Sequence, residues 1–433
     1  MPSLKNTLAK NWMFKKHVLK NGLRVVLVPM KSSMATTFLV LVEAGSKYES
    51  KEINGISHFL EHMCFKGTKK RPSALIISSE MESLGAVYNA FTGQEVTGYY
   101  AKVSADKIDN ALDIVSDMYM NPLLEEKEIQ KEKGVIIEEI NMYEDLPMRK
   151  VHENFMQLVY GDQPAGWAIA GKKEVVMAVD KEKMAGYRKK HYVPEATTIV
   201  VAGAFKEGEM LKKLDKIFGG LVRSDKTGKE KVKEVQNKPK VALETKRSDQ
   251  THLVMGFRAF DMFDKRKYTL SVLCDILGGG MSSRLFQKVR EELGAAYYVN
   301  CGSSLFTDHG LLAISAGVDN KKINIVIKAI LGELNKIKDT LVSKTELDKS
   351  KNHICGSMMI GLETSDSLAE FYGEQELFKE KIMDPEQIIK KIRAVKAEDI
   401  RALAKDIIQN NKLNLAVIGP FQNIAEFERE LSL

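Results

Sequence analysis

An internal repeat limits the possible folds of this chain more than any other feature. Residues 178–205, AVDKEKMAGYRKKHYVPEATTIVVAGAF, align without a gap with residues 394–421, AVKAEDIRALAKDIIQNNKLNLAVIGPF. Two shorter matches precede it in each half, in the same order in both. LGAVYNAFTG at 84–93 resembles LGAAYYVNCG at 293–302, and LVYGDQP resembles EFYGEQE. Each match alone is weak, but three in one order indicate that a single fold occurs twice.

A charged stretch separates the two similar halves. The segment SDKTGKEKVKEVQNKPK at 224–240 is rich in lysine, which is typical of a solvated linker. A chain of 433 residues is long enough for two ordinary domains. We therefore expect an N-terminal domain at 1–223, a linker at 224–240 and a homologous C-terminal domain at 241–433.

Both halves predict a similar order of secondary structure. Apolar strands such as LRVVLVPM and TTFLVLVEAG come first, helices such as IDNALDIVSDMYMN follow, and TTIVVAGAF or LNLAVIGPF closes each half as a strand. Runs of strands beside runs of helices favour an α+β fold, here two homologous domains in which helices cover largely antiparallel sheets. No GxGxxG or Walker loop follows a strand.

Composition places the chain among ordinary globular proteins. It is 44% hydrophobic and 28% charged, and it has no run of 18 apolar residues that could span a membrane. The first residues are basic and lack the apolar core of a secretory signal, so we expect a short disordered leader. Four scattered cysteines without a CxxC pair fit reduced thiols and a cytoplasmic location. Because no aromatic residues accompany the lysines, we expect no nucleic-acid partner.

The stretch SHFLEHMCFKGT at 57–68 places polar residues in an apolar helix. His58 and His62 lie one turn apart on one face, and Glu61 lies on nearly the same side. Two imidazoles spaced in this way can reach one zinc ion, and the carboxylate between them can take a proton from water, which is the chemistry of the HxxEH motif. The alternative is a helix with two incidental histidines. Metal ligation would offset the cost of burying these polar groups.

A catalytic zinc site usually takes a third protein ligand and leaves one position open. The candidates lie in EEKEIQKEKGVIIEEINMYEDLP, which predicts a long helix ended by a proline. Glu132 and Glu139 are seven residues apart and share a face, and Val135 and Ile136 between them indicate that this face is partly buried. Glu138 points about 100° away around the helix. Most acids of such a helix are solvated, so the pattern alone leaves the third ligand open between Glu138 and Glu139.

These residues together resemble the pitrilysin/insulinase family of inverted zinc peptidases. The chain is most similar to the short-chain branch that includes mitochondrial processing peptidase and its bacterial relatives. The resemblance extends from NGLRVVLVP to LAVIGPF, and AGSKYESKEINGISHFLEHMCFKGT follows the family signature almost position by position. Cys64 stands where an aliphatic residue is more usual. The resemblance implies that the two domains form half of a clamshell.

The resemblance also assigns roles to the residues of the motif. It implies one Zn²⁺ per chain, bound by His58, His62 and Glu139, because the third ligand of the family falls on Glu139. Glu61 would be the general base. Glu132 matches a family glutamate seven residues before the third ligand and would orient a ligand.

A second family feature is an N-A-x-T stretch on an edge strand beside the zinc. Here it is NAFTGQEVTGYY, in which Asn89, Ala90 and Thr92 match. In relatives this strand pairs with the extended backbone of the substrate, so that main-chain hydrogen bonds hold a peptide with little demand on its sequence. Without the family, the same residues would be read as an ordinary amphipathic strand.

The second half contributes GGGMSSRLFQKVREELGAAYYV, which resembles a Gly-rich segment followed by an Arg/Tyr pair. Arg290 and Tyr297 have the matching spacing, and in relatives this pair contacts the substrate near the scissile carbonyl. Both side chains are donors that can hold an oxygen as it gains charge. Ala295 stands where the family usually has leucine, and the glycines at 278–280 could also be only a helix end and a loop.

The residues and the resemblance together predict a zinc-dependent endopeptidase that hydrolyses short unfolded peptides bound as an added β-strand. The resemblance implies a homodimer with composite active sites, since both motifs are present in one chain. We expect neither a membrane nor a nucleic acid as partner. Two alternatives stay open: a non-catalytic core or structural subunit of the same fold, and the catalytic subunit of a heterodimeric processing peptidase.

Overall fold

The computed structural model describes residues 13–433, so the expected disordered leader lies outside the described residues. The chain forms two compact units. The first combines the residues up to Ile140 with Ala168–Glu230 and Met359–Pro385. The second combines Asn141–Trp167 with Lys231–Met358 and Glu386–Leu433. The units therefore differ from the halves at 1–223 and 241–433, because each contains one segment from the other half.

The described residues contain two β-sheets. The strands are, in chain order, β1 Lys15–Val18, β2 Arg24–Pro29, β3 Ala35–Val42, β4 Val87–Thr92, β5 Thr97–Ser104, β6 Thr197–Gly203, β7 Lys240–Thr245, β8 Gln250–Ala259, β9 Ala296–Leu305, β10 Gly310–Asp319 and β11 Leu413–Gly419. The expected linker has no helix or strand between 224 and Lys240, where β7 begins.

Helices cover both sheets. The α-helices are α1 Ile56–Met63, α2 Ala74–Ser83, α3 Ile108–Met120, α4 Glu126–Asp145, α5 Pro147–Tyr160, α6 Lys173–Met177, α7 Lys181–His191, α8 Glu207–Phe218, α9 Lys267–Gly278, α10 Ile323–Asp339, α11 Lys344–Gly361, α12 Ser365–Leu377, α13 Pro385–Ala394, α14 Ala397–Ile407 and α15 Ile424–Glu430. Short 3₁₀ turns occur at Ser46–Tyr48, Lys51–Ile53, Ala105–Lys107, Pro164–Gly166, Pro194–Ala196, Asn320–Lys322 and Asn410–Lys412, and a π-helix spans Phe286–Glu292.

The first sheet has the strand order β1–β2–β6–β3–β5–β4. All neighbours are antiparallel except β2 and β6, which run parallel. Strand β6 is buried along its whole length, as expected for a continuous apolar run covered on both faces. Strand β4 lies at the edge and pairs with β5 alone among the described strands. One side of β4 therefore pairs with no other described strand.

The second sheet has five strands and repeats the topology of the first sheet without β1. Its order is β7–β11–β8–β10–β9, with β7 and β11 parallel, which corresponds to β2–β6–β3–β5–β4. The offset that aligns 178–205 with 394–421 also carries α7 onto α14 and β6 onto β11, residue for residue. The predicted α+β fold, with two homologous domains and largely antiparallel sheets, is confirmed.

Two helices belong to the compact unit of the opposite half. Helix α5 packs against β7, β8 and β11, and α12 packs against β2, β3 and β6. In α5, Val151, Phe155 and Val159 recur every four residues and bury one face in the second unit. This periodicity shows that a helix face is buried, but the receiving sheet is decided by the fold of the whole chain.

Each unit has its own hydrophobic core. The core of the first is formed by the inner residues of β2, β3, β5 and β6 with α1, α3 and α8. The core of the second is formed by β8, β10 and β11 with α9, α10 and α14. Among residues 13–433, none of the helices combines the length and apolar composition that a membrane span requires.

Candidate metal centre

Helix α1 carries the HxxEH motif on the surface of the first core. Ile56, Phe59, Leu60 and Met63 are at most 1% exposed, so one face of the helix is anchored in the apolar interior. The two histidines and Glu61 are only partly exposed and occupy the other face. Packing thus fixes the direction in which the polar side chains project.

The buried carboxylate of Glu49 holds the start of α1. Its Oε2 accepts hydrogen bonds from the Gly55 amide at 2.7 Å and from Asn54 Nδ2 at 2.9 Å, and its Oε1 accepts one from the Ser57 amide at 2.8 Å. Two of the unpaired N–H groups at the helix start are thereby satisfied, and a negative charge at this end also suits the helix dipole. Burial raises the pKa of Glu49, although these hydrogen bonds lower it in part.

Two glycines allow the backbone to pass closely beside α1. Gly55 has φ +99° and Gly171 has φ +78°, both in the left-handed region. A Cβ atom on Gly55 would lie 2.5 Å from the Ala170 carbonyl oxygen, and one on Gly171 would lie 2.2 Å from the Asn54 carbonyl oxygen. The entry into the motif helix therefore requires glycine at both positions.

Three candidate ligand atoms converge at this helix. The Nε2 atoms of His58 and His62 are 3.2 Å apart, and Oε2 of Glu139 on α4 lies 3.6 Å from each of them. These three residues are the only group of three or more His, Cys, Asp or Glu in residues 13–433 arranged to hold a metal ion. The structure thus brings together side chains that are far apart in the chain.

The separations fit a single zinc ion. Ligand atoms about 2.0–2.1 Å from a tetrahedral ion lie roughly 3.3–3.4 Å from one another. The observed separations of 3.2 and 3.6 Å bracket this value. Two imidazole nitrogens with one carboxylate oxygen are also the donor types that zinc accepts at sites with an open fourth position.

Helix α4 distinguishes the two candidate glutamates. Glu139 faces the histidines, whereas the neighbouring Glu138 is exposed. The buried face is formed by Ile129, Ile136 and Ile140. The expectation that Val135 shares this face is wrong: Val135 is 51% exposed, because a one-residue step turns a side chain by about 100° around the helix.

Glu132 lies behind His62, on the side away from the ligand atoms. The Nδ1–H of His62 donates to Oε1 of Glu132 at 2.9 Å, and the Lys66 ammonium donates to Oε2 at 2.6 Å. The Glu132 side chain is only 5% exposed. A carboxylate that accepts from Nδ1–H fixes the tautomer in which Nε2 is free to bind a metal.

The two histidines differ in their electrostatic environment. Burial and the neighbouring His62 lower the pKa of His58 to about 4, so His58 stays neutral near pH 7. Burial also acts to lower the pKa of His62, but the hydrogen bond to Glu132 and the charges of Glu61, Glu132 and Glu139 outweigh it and raise the pKa. A proton therefore competes with a metal mainly at His62.

Glu61 is held by the edge strand. The Thr92 hydroxyl at the end of β4 donates to Oε2 of Glu61 at 2.5 Å. Burial raises the pKa of Glu61, and this hydrogen bond lowers it in part. A carboxyl with a raised pKa beside a metal centre is suited to accept and return a proton near neutral pH.

The other residues of the N-A-x-T stretch lie on the same strand. Asn89 is exposed, Ala90 is 9% exposed, and the Ala90 amide donates to Oδ1 of Asn89 at 2.9 Å. The Ala90 amide thus bonds to a side chain at the open edge. The structure brings Thr92 into contact with the motif and places Asn89 and Ala90 along the free edge that leads to it.

Comparison with known proteins shows which family and which relatives this chain resembles. Residues 24–173 match the family model described as insulinase (peptidase family M16), and residues 178–354 match the model described as peptidase M16 inactive domain. An uncharacterized zinc protease, YmxG, of Bacillus subtilis is 36% identical over 95% of this chain and all of its own length. An uncharacterized zinc protease of Streptomyces coelicolor is 33% identical over 94% of this chain and 89% of its own length.

The chain belongs to the M16 (insulinase) peptidase family. The HxxEH helix, Glu132 and Glu139 all fall within the part that matches the insulinase model. Solved structures share the fold of this M16 chain. A protease from Helicobacter pylori, 23% identical, superimposes with a TM-score of 0.88 over 94% of this chain and 100% of that one. A peptidase M16 inactive domain from Pseudomonas fluorescens, 17% identical, gives 0.87 over 94% and 98%.

The second unit of this M16 chain presents Arg290 and Tyr297 on its surface. Arg290 lies in the π-helix Phe286–Glu292, with its guanidinium carbon 4.9 Å from the centre of the Phe286 ring and 5.9 Å from that of Tyr297. Tyr297 is 73% exposed on β9, the edge strand of the second sheet. The two rings orient the guanidinium by cation–π contact, and its N–H groups stay at the surface. The π-helix was not foreseen from the sequence.

The glycines before this pair have a packing explanation. A Cβ atom on Gly278 would lie 2.4 Å from the Cys301 amide nitrogen, and one on Gly279 would lie 2.3 Å from Oδ1 of Asp275. Gly280 is less crowded, with its closest neighbour at 3.7 Å. Close contact between α9 and β9 therefore accounts for Gly278, and crowding against Asp275 of α9 accounts for Gly279.

Sequence reasoning missed two residues of the metal centre. Glu49 precedes the start of α1 by several residues, and only its acidic character near a helix start could have indicated it. Lys66 follows His62 by four residues but lies three residues beyond the end of α1, so helical spacing does not fix the direction of its side chain. A charged pair with Glu132 could not be inferred from this spacing alone.

Proposed function

We propose that this M16 chain is a zinc-dependent endopeptidase that hydrolyses short unfolded peptides. The observation that supports the proposal most strongly is the convergence of His58, His62 and Glu139 beside the carboxylate of Glu61. The names of the relatives in Bacillus and Streptomyces, both zinc proteases, agree with it. One ion per chain would be held by the two Nε2 atoms and Oε2 of Glu139.

Each residue of the metal centre would have a separate role in peptide hydrolysis. Bound zinc would supply a Lewis acid that polarises the scissile carbonyl and acidifies water. Glu61 takes the proton of the attacking water and passes it to the leaving amine. Thr92 donates to Oε2 of Glu61, which leaves the other carboxylate oxygen to accept the proton. Glu132 keeps His62 in the orientation that binding requires.

The substrate would bind as an additional strand on β4. The edge is open among the described strands, and it ends at Thr92, which contacts Glu61. A peptide paired with Asn89 and Ala90 would be led towards the metal centre by main-chain hydrogen bonds. An extended backbone is needed for this pairing, so an unfolded segment is the expected substrate.

We further propose a homodimer in which the Arg290/Tyr297 pair of one chain completes the metal site of the other. Support comes from the presence of both motifs in one chain and from the exposed, ring-oriented guanidinium. Arg290 or Tyr297 would donate to the carbonyl oxygen as it gains charge. Mixing Glu61→Gln protein with Arg290→Ala protein should restore part of the activity after subunit exchange. Mixtures that stay inactive would contradict the composite site.

The decisive experiment is cleavage of a mixture of unstructured peptides, followed by mass spectrometry. Glu61→Gln should retain zinc and lose activity by about 10²- to 10⁴-fold, the usual contribution of a general base. Glu82→Gln, on an exposed residue, is the matched control. If wild-type protein binds zinc but cleaves nothing, a missing partner chain is favoured, and if it binds no zinc, a non-catalytic subunit is favoured.

A further inference from the structure

The surroundings of Glu132 contain more than a hydrogen bond to one histidine. Each carboxylate oxygen has its own donor: His62 Nδ1 at Oε1, 2.9 Å away, and Lys66 Nζ at Oε2, 2.6 Å away. At 5% exposure the side chain has little access to water. A buried carboxylate is restricted in orientation when both oxygens are paired, and removal of one partner leaves a buried charge that is only partly compensated.

Lys66 reaches Glu132 from the end of the motif helix. Its backbone amide donates to the Met63 carbonyl oxygen at 3.1 Å, so the residue is fixed in the last turn that follows α1. Its side chain is 27% exposed, which leaves the ammonium partly shielded. His62 and Lys66 are four residues apart and bind the two oxygens of one carboxylate.

The contacts of Glu132 with His62 and Lys66 connect the two segments that carry the ligand atoms, α1 with the turn after it and α4. Glu132 lies on α4, seven residues before Glu139, and so projects from nearly the same face two turns away. A contact that holds Glu132 against His62 and Lys66 therefore acts on the same helix face that carries Glu139.

We propose that Lys66 is a positioning residue of the metal centre: by anchoring Glu132 it fixes the ring of His62 and the approach of α4 to α1. The inference rests on the proposed zinc function, since it assumes that His62 and Glu139 bind the metal. Lys66 does not contact the ligand atoms and acts only through Glu132. Removal of such an outer partner typically weakens metal affinity about 10- to 100-fold.

The test compares zinc affinity in metal-free protein, measured by competition with a fluorescent chelator at one pH. Lys66→Met should weaken binding about 10- to 100-fold, and Lys66→Arg, which keeps the ion pair, should restore most of it. Lys131→Met is the matched control, because Lys131 is the residue before Glu132 and pairs with Glu128 at 2.6 Å on the exposed side of α4. It should bind zinc like the wild type.

A second readout is the visible absorption spectrum of the Co²⁺-substituted protein, which depends on ligand geometry rather than on activity. Lys66→Met should change the spectrum and Lys131→Met should not. If circular dichroism shows that Lys66→Met does not fold, Lys66→Gln is used in its place. It keeps a donor without the charge, and weaker binding than wild type would again support the role.

The outcomes separate the two levels of the proposal. Wild-type zinc binding with equal affinity in Lys66→Met overturns the role of Lys66 alone. Equal weakening in Lys131→Met, or no recovery in Lys66→Arg, would also overturn it, because the effect would then not come from the anchored carboxylate. A wild-type protein without zinc affinity would overturn the proposed function and this inference with it.

Discussion

Replacement of Glu49 by glutamine should loosen the start of the motif helix by a calculable amount. The carboxylate accepts three hydrogen bonds, of which Oε2 takes two and Oε1 takes one. A glutamine amide can keep its oxygen at the Oε2 position and must then direct its NH₂ group at the Ser57 amide. One hydrogen bond to a charged group is lost, which corresponds to about 1.5–3 kcal/mol.

The neutral amide also removes the free-energy cost of burying the Glu49 charge. Burial raises the pKa of Glu49, which shows that the charge is held in an environment that disfavours it. This relief offsets part of the lost hydrogen bond, so we expect the lower end of the range, about 1.5 kcal/mol. A change of this size corresponds to about tenfold faster exchange of the affected amide hydrogens.

Hydrogen exchange followed by mass spectrometry measures this directly. A peptide covering 54–65 should exchange about tenfold faster in Glu49→Gln, whereas a peptide covering Leu413–Gly419 in the second unit should not change. Glu52→Gln is the matched control, because Glu52 is exposed nearby and does not bond to α1. Unchanged exchange at 54–65 would refute the assignment, and equal acceleration in both peptides would show a global loss of stability instead.

The remaining predictions concern the ligands and their support. Glu139→Gln should lose most of its zinc, measured by elemental analysis, while Glu138→Gln should keep it, because only Glu139 faces the histidines. Zinc affinity should fall as pH is lowered through the raised pKa of His62, since the proton and the metal compete for one nitrogen, and His62→Ala should abolish this dependence together with tight binding. Gly55→Ala should destabilise the first unit by at least about 2 kcal/mol in thermal unfolding, because it forces a Cβ into a left-handed backbone and against a carbonyl oxygen. An unchanged melting temperature would contradict the need for glycine there.

Much of the fold could be predicted from local patterns. The strands expected in LRVVLVPM, TTIVVAGAF and LNLAVIGPF correspond to β2, β6 and β11, and the internal repeat corresponds to two sheets of one topology. These predictions succeed because apolar periodicity and a repeated sequence report directly on which residues face a core. The packing of α5 and α12 in the unit of the opposite half could not be predicted, because a helix pattern shows that one face is buried but not which sheet covers it.

The same distinction between local patterns and contacts of distant segments applies to the metal centre. His58, Glu61 and His62 lie within two turns of one helix, and their spacing alone determines that they share a side. The sequence by itself therefore determined the motif, the duplication and the order of the elements, all of which depend on residues close together in the chain. Glu139 rather than Glu138, the anchor at Lys66 and the support from Glu49 depend on contacts between separate segments. The resemblance had implied Glu139, but only the tertiary structure shows these contacts, because the packing of α4 against α1 sets which of several similar acids reaches the histidines.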